Sequence, residues 1–132
     1  MQQGLHCFLY QSYFTPGMDI SCVADIVKTA RSFNKLHHIT GMLVFDGLRF
    51  CQYIEGPAEP LQLLIGKIGQ DPRHQRFTPK HQAALEGERR FSNWSMAYVL
   101  VDDEEPLDAI DALTGHRALE KMETLIPLLD IA

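Results

Sequence analysis

The spacing of apolar and polar residues in the first part of the chain predicts a strand followed by a helix. Leu5–Ser12 alternates with a period of two and carries apolar side chains on both faces, which predicts a central strand. The next segment predicts a helix from Asp19 to Phe33, because apolar residues recur three and four positions apart. Its apolar stripe consists of Ile20, Val23, Val27 and Ala30, with Ile26 beside it, and Asn34 extends the stripe.

The middle of the chain predicts a hairpin followed by a second helix. The segments "HITGMLVF" and "RFCQYIE" have strand composition and are joined around Asp46-Gly47, a dipeptide typical of tight hairpins. Helical spacing then continues to "GQDPRH", where glycine and proline end the helix. The apolar face of this helix is formed by Leu61, Leu64, Ile65 and Ile68.

The last third predicts two further strands and two short helices. A weaker strand pattern lies near Arg76–Leu85, and the tail holds helical patterns around Leu107–Leu113 and Arg117–Leu129, broken at Gly115. Between them, "WSMAYVL" predicts a strand with Trp94, Met96, Tyr98 and Leu100 on one face.

The order β-α-β-β-α-β-β predicts an α+β fold with a ferredoxin-like sheet and two helices on one face. The tail helices are expected to cover the other face, because the first strand is apolar on both sides. We therefore divide the chain into a domain of residues 1–102 and a helical extension of residues 103–132 that packs on the sheet.

Three polar residues interrupt the predicted apolar faces. Strand alternation places Gln52 between Phe50 and Ile54 on one face, and a buried amide without a partner lowers stability. Tyr10 lies on an apolar face of the first strand, and Asn34 ends the apolar stripe of the first helix. If Tyr10 and Gln52 share the helix-covered face, all three side chains meet in the groove between helices and sheet.

Each of these residues also has an ordinary structural interpretation. Asn34 is a candidate C-terminal cap, Tyr10 a core tyrosine with its hydroxyl at the rim, and Gln52 a partner of the backbone. Amides, however, offer both donors and acceptors. A pair of them therefore suits a flat heterocycle that presents both kinds of group along one edge.

Charge and cysteine content exclude several classes of function. The chain of 132 residues has a formal net charge of −5, with scattered Lys and Arg, which argues against nucleic-acid binding and a polybasic membrane anchor. We expect no secretory signal and no membrane-spanning helix, because no apolar run approaches the required length. The three cysteines are widely spaced and predict a protein of the reducing cytoplasm.

Other catalytic patterns in the sequence are weak. The six histidines are scattered and contain no HExxH motif, so no metal site is predicted. Cys7 and Cys51 are interpreted as small buried apolar residues rather than as nucleophiles. Glu55 and the run Asp102–Glu105 offer carboxylates, which we expect to be solvated.

Five segments together resemble the BLUF family of blue-light sensors that use FAD. They are "FLYQS", "ARSFNKLHHITGML", "FDGLRFCQYIEGP", "DPRH" and "FSNWSMAY", and their order and spacing agree from about Leu5 to Leu100. The resemblance implies a non-covalent FAD held between the two helices. It also implies a photosensory protein rather than an enzyme.

The resemblance assigns roles to individual residues. Tyr10 matches the photoactive tyrosine, Gln52 the switching glutamine, and Asn34 the asparagine that bonds the O4/N3 edge of the flavin. Trp94 and Met96 match the pair that senses the flavin, on a strand that the resemblance places next to Gln52. Further residues implied at the flavin are Arg31 at the helix end, Ile39 and Ile54 near the ring, and Asp71, Arg73 and His74 in the loop approaching the O2 side and the chain leading to phosphate.

The sequence departs from the family pattern at four positions. Members often have Ser at the position of Ala30 and Asn at that of Phe33, so flavin contacts at the helix end are expected to differ. His38 replaces a common Gly at the turn into the second strand. Cys51 replaces a larger apolar residue and faces away from Gln52, so little effect on the photocycle is expected.

The resemblance also implies a mechanism. Blue light makes the flavin a strong oxidant, Tyr10 supplies an electron and a proton, and Gln52 is left rearranged by rotation or tautomer change. The altered bond to the flavin shifts its absorption to the red.

No effector domain follows in this sequence, so we expect output through a separate partner protein. The tail carries more apolar surface than two short helices hide, which favours a homo-oligomer. Two other interpretations stay open at this point. One is a small flavin-dependent enzyme, and the other is a ferredoxin-like interaction module that has lost its flavin.

Overall fold

The computed structural model describes residues 4–85, 87–89, 97–101 and 105–124, and these contain the predicted order of elements. The strands are β1 (Leu5–Phe14), β2 (Thr40–Phe45), β3 (Arg49–Pro57), β4 (His74–Ala84) and β5 (Ala97–Leu100). The helices are α1 (Cys22–Leu36), α2 (Ala58–Gln70), α3 (Glu105–Asp111) and α4 (Gly115–Thr124). The predicted Trp94 and Met96, and the tail beyond Thr124, lie outside the described residues.

The strands form one sheet in the order β4-β1-β3-β2-β5. The β1–β3, β1–β4 and β2–β3 pairs are antiparallel, while β5 runs parallel to β2. Tyr10 on β1 lies directly opposite Gln52 on β3, at the centre of the sheet. Side chains of directly opposed residues lie on the same face, so the predicted meeting of these two residues is confirmed.

Helices cover both faces of the sheet, as predicted. One core cluster joins β1, β2 and β3 to α1 and α2; its members include Phe8, Tyr10, Val23, Val27, Ile39, Leu43, Ile54 and Leu61. The other joins the opposite face to α3 and α4; its members include Cys7, Leu9, Met42, Val44, Cys51, Tyr53, Leu107, Ile110, Leu119 and Met122. Alternation along the central strands therefore divides one hydrophobic core into two layers.

Helix α1 begins and ends later than its apolar pattern predicts. The backbone N–H of Ser21 bonds the Asp19 carboxylate at 2.9 Å, and Ile20 is 58% exposed, so this stretch forms a turn before the helix. At the other end the Ile39 amide donates to the Asn34 carbonyl at 2.8 Å, which is a Schellman bond. His38 occupies the left-handed position of that motif at φ 59°, a conformation that glycine adopts most readily.

The hairpin strands β2 and β3 approach too closely for a side chain at Gly41. A Cβ added there would lie 2.0 Å from the Tyr53 carbonyl oxygen. The turn itself is held by Asp46, whose carboxylate accepts from the amides of Leu48 and Arg49 at 2.9 and 2.7 Å. The predicted Asp-Gly turn is therefore confirmed, with Gly47 at φ 94°.

Strand β4 lies at the sheet edge and contains a bulge opposite the centre of β1. Leu9 pairs with His81 and Tyr10 pairs with Pro79, so Lys80 is an extra residue between them. Proline is tolerated here because an edge strand leaves one side of its backbone without a neighbour in the sheet. The bulge turns Lys80 toward α3, where its Nζ reaches the Asp111 carbonyl at 2.9 Å.

The structure corrects the expectation for Glu55. Its side chain was expected in solvent, but it is fully buried on the α3/α4 face because β3 is a central strand. The Tyr53 hydroxyl donates to its Oε2 at 2.8 Å, and burial, followed by the charge of Glu55, raises the pKa of that tyrosine. Separately, no helix in the described ranges combines the length and the apolar character needed to cross a bilayer.

Candidate functional site

A cavity of about 570 Å³ lies between α1, α2 and the sheet. Helix α1 lines it with Ile26, Thr29, Ala30 and Phe33, and α2 with Leu64, Lys67 and Ile68. The sheet contributes Tyr10, Leu43, Phe50 and Gln52, and the end of α2 with the following loop contributes Gln70, Asp71, Pro72, Arg73 and His74. The cavity is therefore apolar along its walls, with polar groups at the sheet and at the loop.

A hydrogen bond between two buried side chains lies at the sheet side of this cavity. The Tyr10 hydroxyl donates to Oε1 of Gln52 at 2.5 Å, and each side chain is only 4% exposed. Burial, with smaller contributions from Cys51 and Asp71, raises the pKa of the Tyr10 phenol. The phenol is therefore protonated at neutral pH and acts as the donor in this bond.

Aromatic rings hold Tyr10 in this position. Its ring centroid lies 4.9 Å from that of Phe77 and 5.9 Å from that of Phe8. Both distances are within the range of favourable aromatic pairs. The bond to Gln52 is thus made by a side chain whose rotation is limited by packing.

His74 forms part of the cavity wall with both ring nitrogens bonded to protein. Its Nε2 lies 2.5 Å from the Ile68 carbonyl and its Nδ1 lies 2.7 Å from the Ser12 hydroxyl. A carbonyl only accepts, so Nε2 carries the proton and Nδ1 accepts from Ser12 in the neutral ring. His74 therefore connects the end of α2 to β1, and both of its ring nitrogens are bonded within the protein.

Asp71 and Arg73 form an ion pair at the cavity entrance. Nη2 of Arg73 lies 2.6 Å from Oδ2 of Asp71, and its Nε lies 2.9 Å from Oδ1. Burial opposes ionisation of Asp71, but the hydrogen bonds from Arg73 hold the pKa of its carboxyl below the ordinary value. The positive charge of Arg73 is therefore balanced by Asp71, and together the two side chains contribute no net charge to the cavity.

The other predicted site residues occupy three different locations. Asn34, Ile39 and Ile54 are fully buried in the layer under α1 and are not among the residues that line the cavity. Arg31 is exposed and lines a second cavity, of about 400 Å³, between α1 and Tyr98. Trp94 and Met96 fall outside the described residues.

Strand β5 does not neighbour the strand of Gln52. Leu43 of β2 is opposite Gln52 on one side and Tyr98 of β5 on the other. In the described part of the sheet, β2 therefore separates β5 from Gln52. The expectation that the last strand lies directly next to Gln52 is therefore wrong for Ala97–Leu100, while Trp94 and Met96 lie outside the described residues.

Most of the cavity wall was not predicted as part of the site, and Lys67 and Phe33 are the two such residues that contact each other across it. The Nζ atom of Lys67 lies 4.6 Å from the centre of the Phe33 ring, a cation–π contact between α2 and α1. Lys67 lies three residues after Leu64 on the predicted helix, so its position near the groove was readable from helical spacing. Phe33 is one of the departures from the family pattern, and it lines the cavity together with Ala30.

Comparison with known proteins identifies relatives. The family described as sensors of blue light using FAD (BLUF) matches residues 5–97. The blue light- and temperature-regulated antirepressor BluF of Escherichia coli (strain K12) is 33% identical over 70 residues, covering 53% of this chain and 17% of the relative. Photoactivated adenylate cyclase subunit alpha of Euglena gracilis is 33% identical over 98 residues, covering 74% of this chain and 9% of the relative.

Solved structures agree with these relatives. The ground state of BlsA superposes with a TM-score of 0.83 at 25% identity, covering 97% of this chain and 91% of that one. The dark state of BlrB, a BLUF protein, gives 0.73 at 27% identity and covers 85% of both chains. The chain thus spans less than a fifth of the curated relatives given above but most of these two structures.

Proposed function

Because this chain belongs to the BLUF family of blue-light sensors that use FAD, we propose that it is a photoreceptor that signals to a separate partner protein. FAD would bind non-covalently in the cavity between α1, α2 and the sheet. The observation that carries the proposal is the buried bond from the Tyr10 hydroxyl to Oε1 of Gln52 at the cavity floor. A phenol can donate or accept a hydrogen bond, and an amide can do either through its NH₂ group or its oxygen, so the direction of this bond can be reversed.

The residues of the cavity fit a flavin. Its volume of about 570 Å³ is in the range of cofactor sites, which are mostly apolar with a few polar groups. Ile26, Leu64 and Ile68 offer apolar surface for a flat ring, and Gln52 supplies amide chemistry for its polar edge. Lys67 at the wall supplies a positive charge suited to phosphate groups.

When bound and excited by blue light, FAD supplies a strong oxidant. Tyr10 is the protein group suited to donate an electron and a proton, because its phenol is protonated and buried at the cavity. Gln52 accepts the hydrogen bond of that phenol. Rotation of its amide by half a turn would exchange Oε1 for Nε2, so that the group facing Tyr10 becomes a donor.

An absorption spectrum of the purified protein before and after blue light tests this proposal. We expect bound flavin and a reversible red shift in the wild type. Tyr10→Phe and Gln52→Leu should retain flavin and lose the shift, because each removes one partner of the bond. Tyr13→Phe is the matched control: Tyr13 is opposite Arg49, on the other side of the strand from Tyr10, and should retain the shift. A normal shift in Tyr10→Phe would refute the assignment.

Signalling in trans is proposed from the relatives together with the exposed surface. The Escherichia coli relative is described as an antirepressor, which acts on another protein. The described surface offers Ile20, Leu36 and Leu63, which are 58%, 74% and 54% exposed. A light-dependent pull-down from the host tests this: we expect a protein captured in one light state only, and equal capture in both states would contradict it.

The structure removes part of the sequence argument for self-association, which rested on exposed apolar residues of the tail. Leu107, Ile110, Leu119 and Met122 are buried against the sheet, so they are not available to a second subunit. Leu125, Ile126 and Leu129 lie outside the described residues. We propose a homo-oligomer of the cytoplasm, and light scattering in the dark and under blue light tests the assembly. A monomer in both conditions at micromolar concentration would contradict it.

A further inference from the structure

Helix α3 is held on the sheet by three buried polar side chains, one from each of three strands. They are Gln11 of β1, Arg49 of β3 and Lys80 of β4, which are 2%, 3% and 9% exposed. We call these three residues the α3 clamp. None of the three was predicted from the sequence as a functional residue, and none of them lines the cavity.

Arg49 connects the start of β3 to the middle of α3. Its Nη1 lies 2.6 Å from Oδ1 of Asp108, and its Nη2 lies 3.2 Å from Oδ2 of Asp46. The Asp46 side chain is fully buried, whereas that of Asp108 is 64% exposed. The inner ion pair therefore fixes Arg49, and the outer one holds the helix.

Lys80 holds the C-terminal end of α3. Its Nζ lies 2.9 Å from the Asp111 carbonyl and 3.3 Å from the Oδ1 atom of the same residue. Asp111 is the last residue of α3, where a cation interacts favourably with the end of the helix dipole. Lys80 reaches this point because it is the residue inserted in β4 between the partners of Leu9 and Tyr10.

Gln11 makes the third contact and is only half satisfied. Its Nε2 donates to the Leu107 carbonyl at 2.9 Å. Its Oε1 is buried and has no hydrogen-bond partner among the residues that the structure describes. A buried acceptor without a donor weakens this arrangement relative to any in which Oε1 gains one. The contact at Leu107 therefore leaves one buried polar atom of Gln11 without a hydrogen bond in the described part of the structure.

The clamp and the Tyr10–Gln52 pair share the same backbone segments. Gln11 is the residue after Tyr10, and Arg49 precedes Gln52 by three residues on β3. Adjacent residues of a strand point to opposite faces, so a displacement of the β1 backbone at Tyr10 also moves Gln11. Lys80 is located in the bulge opposite Tyr10 on the neighbouring strand. Gln11 and Lys80 therefore lie beside Tyr10, and Arg49 lies on the strand of Gln52, opposite Tyr13.

We propose that the α3 clamp couples the cavity to the output: it holds α3 on the sheet in the dark and loosens when the Tyr10–Gln52 bond rearranges. Gln11, Arg49 and Lys80 are positioning residues in this scheme and touch no cofactor. The proposal rests on the proposed photoreceptor function. The released segment would be Glu105–Asp111, on the face of the sheet opposite the flavin.

Hydrogen exchange of the α3 peptide tests the coupling on the full, FAD-loaded chain. It is measured by mass spectrometry in the dark and under continuous blue light, and the red shift is recorded on the same samples. We expect light to raise α3 exchange by about 5–150-fold, the usual range of coupling between two sites. Asp108→Asn should raise dark exchange about two- to fivefold, because its exposed carboxylate is weakly bound, and should leave lit exchange unchanged.

Two further variants separate a coupling role from a structural one. Asp108→Glu keeps the carboxylate and should restore dark protection. Lys121→Gln changes a charge on α4 outside the clamp and should leave both exchange rates unchanged. The red shift should keep its size in every one of these variants, because none of the substituted residues lines the cavity.

The outcomes distinguish the two proposals. A normal red shift with equal α3 exchange in dark and light overturns the coupling alone. Asp108→Asn exchange that rises by the same factor in both states also overturns it, because the ion pair then has only a structural role. A wild type without any red shift overturns the photoreceptor function and the coupling together.

Discussion

The two faces of the sheet are built from the same strands but differ in what they bury. The α1/α2 face contains a cavity of about 570 Å³ and a neutral phenol–amide pair. The α3/α4 face buries charged groups, among them Arg49 and Glu55 at 3% and 0% exposure. A cavity and a dense ionic layer coexist in so small a protein because strand alternation assigns successive residues to opposite faces. The α1/α2 face thus has room for the proposed flavin, whereas the α3/α4 face is filled by side chains that join the helices to the sheet.

The largest effect is expected on the ionic face. Arg49→Ala removes the partner of the fully buried Asp46 and of Asp108, and should lower the free energy of unfolding by about 3–5 kcal/mol. Urea denaturation of the FAD-free protein measures it. Arg76→Ala, where the guanidinium lies over the ring of Tyr13, should cost less than about 1 kcal/mol. If Arg49→Ala and Arg76→Ala lowered the free energy of unfolding by similar amounts, the buried ion pairs would contribute no more to stability than the contact of Arg76 with Tyr13.

Alkaline pH should destabilise the protein, because burial, the dominant effect, raises the pKa of Cys51 to about 12 from an ordinary value of 9.0. The unfolded state then loses this proton first, so stability falls as pH rises from about 9 to about 12, by roughly 1.4 kcal/mol per pH unit. The raised pKa of Tyr10 adds to the fall above its ordinary value of 10.0.

Denaturation midpoints measured from pH 8 to pH 11 test this expectation. Cys51→Ala should reduce the fall between pH 9 and pH 10, while Tyr10→Phe should act only above that range. The two variants therefore separate the contribution of Cys51 from that of Tyr10. A pH-independent midpoint would contradict both.

On the cavity face, substitutions should change flavin affinity more than the fold. Asn34 is fully buried and is not among the residues that line the cavity, but the resemblance to the family assigns its amide to the flavin edge. On that assignment, Asn34→Ala should weaken FAD binding by about 5–150-fold, equivalent to about 1–3 kcal/mol. Equilibrium titration followed by flavin fluorescence measures it. Ser32→Ala, at an exposed position on the same helix, is the control and should bind FAD normally. Unchanged affinity in Asn34→Ala would exclude that contact.

The smallest expected effect concerns the wall of the cavity. Lys67→Gln should weaken FAD binding about two- to fivefold and leave riboflavin binding unchanged, because only FAD carries phosphates for this exposed cation. The effect should decrease at high salt. Lys121→Gln, on the opposite side of the sheet, is the matched control. An equal loss for FAD and riboflavin would instead assign Lys67 to ring packing against Phe33.

Much of the architecture was predictable from periodicity because it depends on local rules. The order of elements, the Asp46-Gly47 turn and the shared face of Tyr10 and Gln52 follow from spacing along the chain. The predicted start of α1 was wrong because a turn competes with the helical pattern there. The Asp19 carboxylate accepts a hydrogen bond from the backbone N–H of Ser21, so the helix begins at Cys22 instead of Asp19.

The site was predictable in its polar residues but not in its full wall. Tyr10 and Gln52 stood out because polar groups on an apolar strand face require a partner. Helical spacing placed Lys67 near the groove, but an exposed lysine on a helix is ordinary and so did not stand out as a site residue. Arg31 lies beside a different cavity because its position on α1 faces away from the one that Phe33 lines.

By itself, the sequence determined which residues alternate, where the chain turns and which family the chain resembles, because these are properties of short segments. Only the tertiary structure decided that β5 lies beside β2, that Glu55 is buried, and that Arg49 meets Asp108. The physical reason is that contacts between residues separated by many positions depend on strand order, on the bulge at Lys80 and on how the tail packs. No period along the chain encodes them.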